Sequence, residues 1–259
     1  MQHIAIKPEF EWAARLGYAS RGAIYLVIGS LAVLAAFTAG GKTTGSKGAL
    51  QTIVNQPFGQ TAVAILIVGL VCYAAWRVTQ ALTDTENHGH DAKGSAARIG
   101  MFASAIAHLA LALWAASLLI DGVSSQGSSN DSFFSSPLGQ WVLGAIGMGI
   151  LIAGLVFLVR GFTASFEKKM EFPTEHIDWM RPLCRFGIAS RGLVYVLIGS
   201  FILVSVWRAT DGEMKGVGDA LSWLGAQPYG SWALGIVAIG LFAFGVYSIL
   251  EATYRRVES

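Results

Sequence analysis

The sequence predicts an all-α membrane protein: six transmembrane helices in three tandem, parallel two-helix repeats, packed as a pseudo-threefold bundle. Three observations carry that prediction. First, 54% of the 259 residues are hydrophobic and only 13% are charged, too little charge to cover the surface of a soluble domain. Second, the runs Gly22–Gly41, Gly59–Trp76, Ile99–Ile120, Ser132–Val159, Gly192–Trp207 and Tyr229–Leu250 contain no Lys, Arg, Asp or Glu. Crossing the hydrocarbon takes about 20 apolar residues, and the shorter runs reach that length with flanking side chains that snorkel. Third, one phrase is written three times: ARLGYASRGAIYLVIGSLAVLAAF at residues 14–37, ARIGMFASAIAHLALALWAASLLI at 97–120 and CRFGIASRGLVYVLIGSFILVSVW at 184–207. A second phrase follows each copy: QPFG at Gln56–Gly59, SPLG at Ser136–Gly139 and QPYG at Gln227–Gly230.

Taken in order, residues 1–13 form a lead-in whose Lys7, Glu9 and Glu11 do not suit a cleaved signal peptide. Repeat 1 covers 14–83, and within its outer loop Ala49–Asn55 has the apolar spacing of a short interfacial helix. That helix ends at Gln56-Pro57, where the proline starts the returning helix. Residues 84–95 are a polar linker. Repeat 2 covers 96–166 and has the plain loop Ser124–Asp131 in place of the short helix. Residues 167–182 mix charge with Phe172, Trp179 and Met180, as suits a segment at the headgroup level. Repeat 3 covers 183–256, with Ala220–Ala226 as its short outer helix.

With the N-terminus inside, fourteen Lys and Arg residues fall on the cytoplasmic side, against Lys42, Lys47, Arg208 and Lys215 on the other. This positive-inside bias places both termini in the cytoplasm. Cys72 lies within a span and Cys184 on its flank, so no disulfide is expected. The net charge of +2 implies no nucleic-acid partner.

On a helical wheel Tyr18, Arg21, Gly22, Tyr25, Gly29, Ala32 and Ala36 share one face. Small residues let helices approach closely in lipid, so Gly22, Gly29, Gly192 and Gly199 read as a packing seam, joined by Gly69, Gly149 and Gly240 on the returning helices. Arg15 and Arg185 read as snorkelling boundary residues. Arg21 and Tyr25 recur as Arg191 and Tyr195, while Ser104 and His108 stand at those positions in the middle unit. At one shared distance after Pro57, Pro137 and Pro228 come Gln80, Arg160 and Glu251, with Arg77 nearby. These residues form a candidate polar cluster in which Glu251 is expected to pair with Arg21, Arg191 or Arg160.

His108 stands alone as a titratable group in the interior of a span. It is either a proton relay or, more simply, a neutral imidazole hydrogen-bonded for packing. No second histidine is placed to ligate haem. His88 and His90, in the linker, have nothing to fix a metal geometry. No phosphate-binding glycine loop, nucleophile elbow or zinc-protease motif occurs, so no catalytic, cofactor or metal residue is assigned.

The Arg-x-Gly-x-x-x-Arg-Gly-x-x-Tyr phrase is present in full at Arg15–Tyr25 and Arg185–Tyr195. With the Gly-Ala-Leu…Gln-Pro-Phe-Gly phrase of Gly48–Gly59 and the ending GLFAFGVYSILEATYRR of Gly240–Arg256, it resembles a bacterial membrane family catalogued as domain of unknown function 1206. The resemblance runs from about Ala14 to Arg256. It implies three two-helix repeats in a bacterial inner membrane and brings no activity with it. The function expected is a non-enzymatic structural or accessory membrane component, with the lipid bilayer and another membrane protein or a second copy as partners. The alternative is a small-solute or ion channel or permease with its path along the pseudo-threefold axis.

Overall fold

A computed structural model describes residues 8–37, 43–83, 89, 91–121, 137–173, 175–207 and 217–255. Repeat 1 comprises α1 (Pro8–Phe37), the short α2 (Ser46–Val54) and α3 (Gly59–Thr83). Repeat 2 comprises α4 (Ala92–Asp121) and α5 (Pro137–Thr163), and a 3-10 turn at Ser165–Lys169 leads onward. Repeat 3 comprises α6 (Ile177–Trp207), the short α7 (Val217–Gly225) and α8 (Gly230–Tyr254). Six of these helices are long and apolar enough to cross a membrane: Glu11–Phe37, Gly59–Thr83, Gly94–Ile120, Gly139–Thr163, Ile177–Trp207 and Gly230–Tyr254. The loop Ser124–Asp131 and the linker histidines His88 and His90 lie outside the described residues.

The two Gln-Pro phrases do not begin a helix at proline. Phe58 (φ 61°) and Tyr229 (φ 60°) take left-handed backbone, and α3 and α8 begin at the next residue. A Cβ at Gly59 would lie 2.1 Å from the Ile53 carbonyl, and one at Gly230 would lie 2.2 Å from that of Gly225. Only glycine permits so tight a reversal from the short helix into the span. In repeat 2, where no short helix is described, the span does begin at Pro137.

The six spans meet in the order α4, α3, α1, α8, α6, α5, with the broadest interfaces at α5–α6 and α1–α8. The outer repeats close on themselves through α1–α3 and α6–α8. The two helices of the middle repeat, α4 and α5, share no comparable interface and end the row on either side. Glycine sets the two broad seams. A Cβ at Gly29 would lie 2.5 Å from the Phe242 nitrogen, and Gly22 lies against the Gly245 carbonyl. Across α5–α6, Gly192 faces Leu158 and Gly154, while Gly199 faces Leu151 and Gly147. Such contacts gain dispersion energy that leucine-rich surfaces do not gain over lipid. Gly69 and Gly240 pack on Ser20 and Ser190. Gly149 does not pack: it is exposed, and nothing lies within 4 Å of a Cβ built there. It occupies the repeat position of Gly69 and Gly240, and the helix that would cover it, α4, stands off.

At the end of the bundle where α1 begins and α8 ends, three arginines perform one task. Arg15 donates to the carbonyls of Ala252 (2.6 Å) and Thr253 (2.7 Å). Arg98 donates to Ala81 (2.8 Å) and Leu82 (3.1 Å), and Arg185 to Gly161 (3.1 Å) and Phe162 (2.7 Å). The last carbonyls of a helix have no partner within the helix and carry the negative end of its dipole. Each repeat's first arginine therefore caps the returning helix of the repeat before it, and Arg15 of the first caps the last. Arg15 and Arg185, read from the sequence as boundary residues, thus act as helix caps. Arg98→Ala is expected to lower stability by about 1–2 kcal/mol, measured as a fall in thermal midpoint in detergent.

Candidate functional site

Six residues beyond the capping arginines, or about 9 Å further along a helix axis, lies a buried cluster of cations and aromatic rings. Arg21, on α1, is 4% exposed. Its guanidinium donates to the Tyr73 hydroxyl of α3 (2.6 Å), to the Ser248 hydroxyl of α8 (3.2 Å) and to the Glu251 carboxylate. Glu251, 3% exposed, also accepts from Arg255 one turn on. One buried carboxylate thus serves two arginines, and of the three expected partners Arg21 is the one that takes it. Arg77 donates to the Tyr73 hydroxyl (2.9 Å) and to the Gln80 side chain (3.1 Å).

Arg191, on α6, stands at the repeat position of Arg21 but in different company. It donates to the Tyr195 hydroxyl (2.7 Å). Its guanidinium carbon lies 4.5 Å from the ring centre of Phe244, 4.7 Å from Phe157, 4.9 Å from Tyr195 and 5.2 Å from Tyr25. Aromatic faces hold a cation by their quadrupole. Phe244 also lies 5.3 Å from the Arg21 guanidinium, so it separates the two cations. Arg191 forms no ion pair with any described residue, and its buried Nε has no hydrogen-bond partner.

The middle repeat contributes a smaller and more neutral surface. His108 Nδ1 donates to the Ser104 carbonyl (2.7 Å), and its ring lies 4.5 Å from that of Tyr73. The hydrogen bond stays within α4, one turn back, and only the ring contact crosses the α3–α4 seam.

The structure therefore gathers Arg21, Tyr25, Arg77, Gln80, His108, Arg191, Tyr195 and Glu251, with Ser104 taking part through its backbone carbonyl. Arg160 is not among them. It is exposed near the end of α5, because α5 packs on α6 alone and turns that position outward, so Gln80, Arg160 and Glu251 form no ring. Sequence reasoning missed Tyr73, Phe157, Phe244 and Ser248. Their signal was faint but present: Tyr73 and Phe244 share one offset after the repeated prolines, and Arg77, Phe157 and Ser248 share another. At the opposite end, a cavity of about 470 Å³ is bordered by Ala35, Thr43, Ser222 and Ser231, with no titratable side chain among the described residues of its lining.

Six apolar spans around a sparse polar interior define a multi-pass α-helical membrane protein built from an internal repeat. The chain belongs to the family described as Domain of Unknown Function (DUF1206), which matches it three times, over residues 16–84, 99–164 and 186–255. It is 32% identical over 261 residues to "Uncharacterized protein YxxB" of Bacillus subtilis (strain 168), a match covering 97% of this chain and 93% of the relative. No solved structure matches it.

Proposed function

We propose that the chain is a non-enzymatic structural or accessory component of a bacterial inner membrane, with both termini in the cytoplasm. The excess of Lys and Arg near the termini and the inter-repeat linkers supports that orientation. The three equivalent arginine caps support a pseudo-threefold relation among the repeats. The bilayer and a membrane-embedded partner, or a second copy of the chain, are its expected partners.

One observation carries the accessory reading. The polar interior is filled and cross-linked: Arg21, Gln80, Arg191 and Glu251 are each at most 6% exposed, and aromatic rings pack around both buried arginines. A conducting path needs polar groups converging on a wettable axis. Here the groups that would line it are engaged with one another. The excess of arginine over carboxylate in the cluster favours a second reading, a path for small anions. Reconstitution into liposomes separates the two. Fluxes of chloride, potassium and small neutral solutes are expected to equal those of protein-free vesicles. An anion flux that depends on Arg191 would replace the accessory reading with the channel one.

A further inference from the structure

We propose that the gap between α4 and α5 admits an anionic membrane lipid whose acidic headgroup binds Arg191. The inference goes beyond the accessory role and does not depend on it. It begins with the repeat itself. In the outer units the two spans of a repeat meet at two points. Gly17 faces the backbone of Tyr73 and Gly187 that of Phe244, with built Cβ distances of 2.7 and 2.4 Å. Gly69 and Gly240 face the Cβ atoms of Ser20 and Ser190, at 2.6 and 2.3 Å. In the middle unit the equivalent glycines, Gly100 and Gly149, have no described residue within 4 Å of a built Cβ. Their equivalents across the gap are Ala153 and Ala103.

The same substitutions empty an interior position. Where the outer repeats have an arginine and an aromatic ring (Arg21 with Tyr73, Arg191 with Phe244), the middle repeat has Ser104 and Ala153. Two large side chains are replaced by two small ones beside a seam that does not close. The opening faces sideways into the bilayer, between helix walls that carry glycine and alanine.

The charge at its inner end identifies the occupant. Arg191 is 6% exposed, it has no carboxylate partner among the described residues, and its Nε is unsatisfied. Its aromatic walls come from α1, α5, α6 and α8, and the α5 ring, Phe157, stands one helical turn from Ala153 on the wall of the gap. It therefore lies beside the space that α4 and α5 leave open. A buried guanidinium calls for a charge-assisted acceptor. Glu251 is already shared by Arg21 and Arg255, and Arg77 adds further positive potential. A phosphodiester at the end of an acyl chain meets all of this, because it arrives through lipid and carries the missing negative charge.

The test uses the full chain, delipidated in detergent and titrated with phosphatidylglycerol by native mass spectrometry. A single phosphatidylglycerol per chain is expected to persist, while phosphatidylcholine does not. Arg191→Gln is expected to weaken its binding at least about tenfold, the equivalent of one charge-assisted hydrogen bond. The double variant Gly149→Leu/Ala153→Leu, which fills the gap and keeps every charged residue of the cluster, is expected to do the same with its lipid-free thermal midpoint not lowered. Millimolar inorganic phosphate is expected to leave the bound lipid in place. Undiminished lipid binding by the gap-filled variant, or by folded Arg191→Gln, overturns the proposal. Displacement by inorganic phosphate overturns it too, in favour of a free-anion site. Should Arg191→Gln not fold, the gap-filled variant decides alone.

Discussion

Glu251→Gln is expected to lower the stability of the folded chain by about 3–5 kcal/mol, the cost of leaving buried charge without its partner. Glu251 is the carboxylate shared by Arg21 and Arg255. Arg21 is 4% exposed and fixed between the hydroxyls of Tyr73 and Ser248. Arg255, at the end of the bundle with 11% of its side chain exposed, is nearer to solvent and loses less. The measurement is thermal or denaturant unfolding in detergent, with the double variant Arg21→Met/Glu251→Leu alongside it. Removing both charges leaves no unpaired cation at Arg21, only the more exposed Arg255 without this carboxylate, and replacing a buried ion pair by apolar side chains is often close to neutral. The double variant should therefore be more stable than Glu251→Gln. If the double variant is as damaged as the single one, the network matters through its shape and hydroxyl contacts rather than through charge.

Gly29→Ala should reverse the usual sign of a glycine-to-alanine change in a helix. Helix propensity alone favours alanine by about 1 kcal/mol. At Gly29, however, the added methyl would lie 2.5 Å from the Phe242 nitrogen and 2.7 Å from its Cα. The obstruction is backbone, which no rotamer change relieves, so α1 and α8 must separate along their shared seam. Overpacking of this kind costs about 1–3 kcal/mol, and because dispersion across the seam is what holds helices together in lipid, the upper end is expected. Gly149→Ala is the matched control: its methyl meets open space, so the change should be neutral or slightly stabilising. Both are read from thermal midpoints in one detergent. Equal effects at the two positions would mean that close approach contributes nothing at Gly29.

These two positions also show what was legible in the sequence. Absence of charge over long runs marked all six spans, since hydrocarbon tolerates few alternatives. Apolar spacing marked α2 and α7. Repetition brought Glu251 into register with the arginines. Repetition also misled, because it implied that Gly149 packs like Gly69 and Gly240 and that Arg160 turns inward like Gln80 and Glu251. Both errors have one cause: α4 and α5 stand apart, and a spacing pattern records which face a residue occupies, not whether a neighbouring helix covers that face. The capping role of Arg15, Arg98 and Arg185 was hidden for another reason. Their acceptors are backbone carbonyls, which carry no side-chain signature.

The arrangement of the caps constrains how this protein is made. As the chain emerges, Arg98 finds the end of α3 already in place, and Arg185 finds the end of α5. Arg15 and Arg21 wait longest, since both are completed by α8, the last span to be synthesised. Until then the first helix sits in the bilayer with a cation awaiting its counter-charge and with its broadest interface unfilled. A nascent chain cut short before Gly230 would hold five of its spans, with α1 held by α3 alone among them and with Arg15 and Arg21 lacking the partners that α8 supplies.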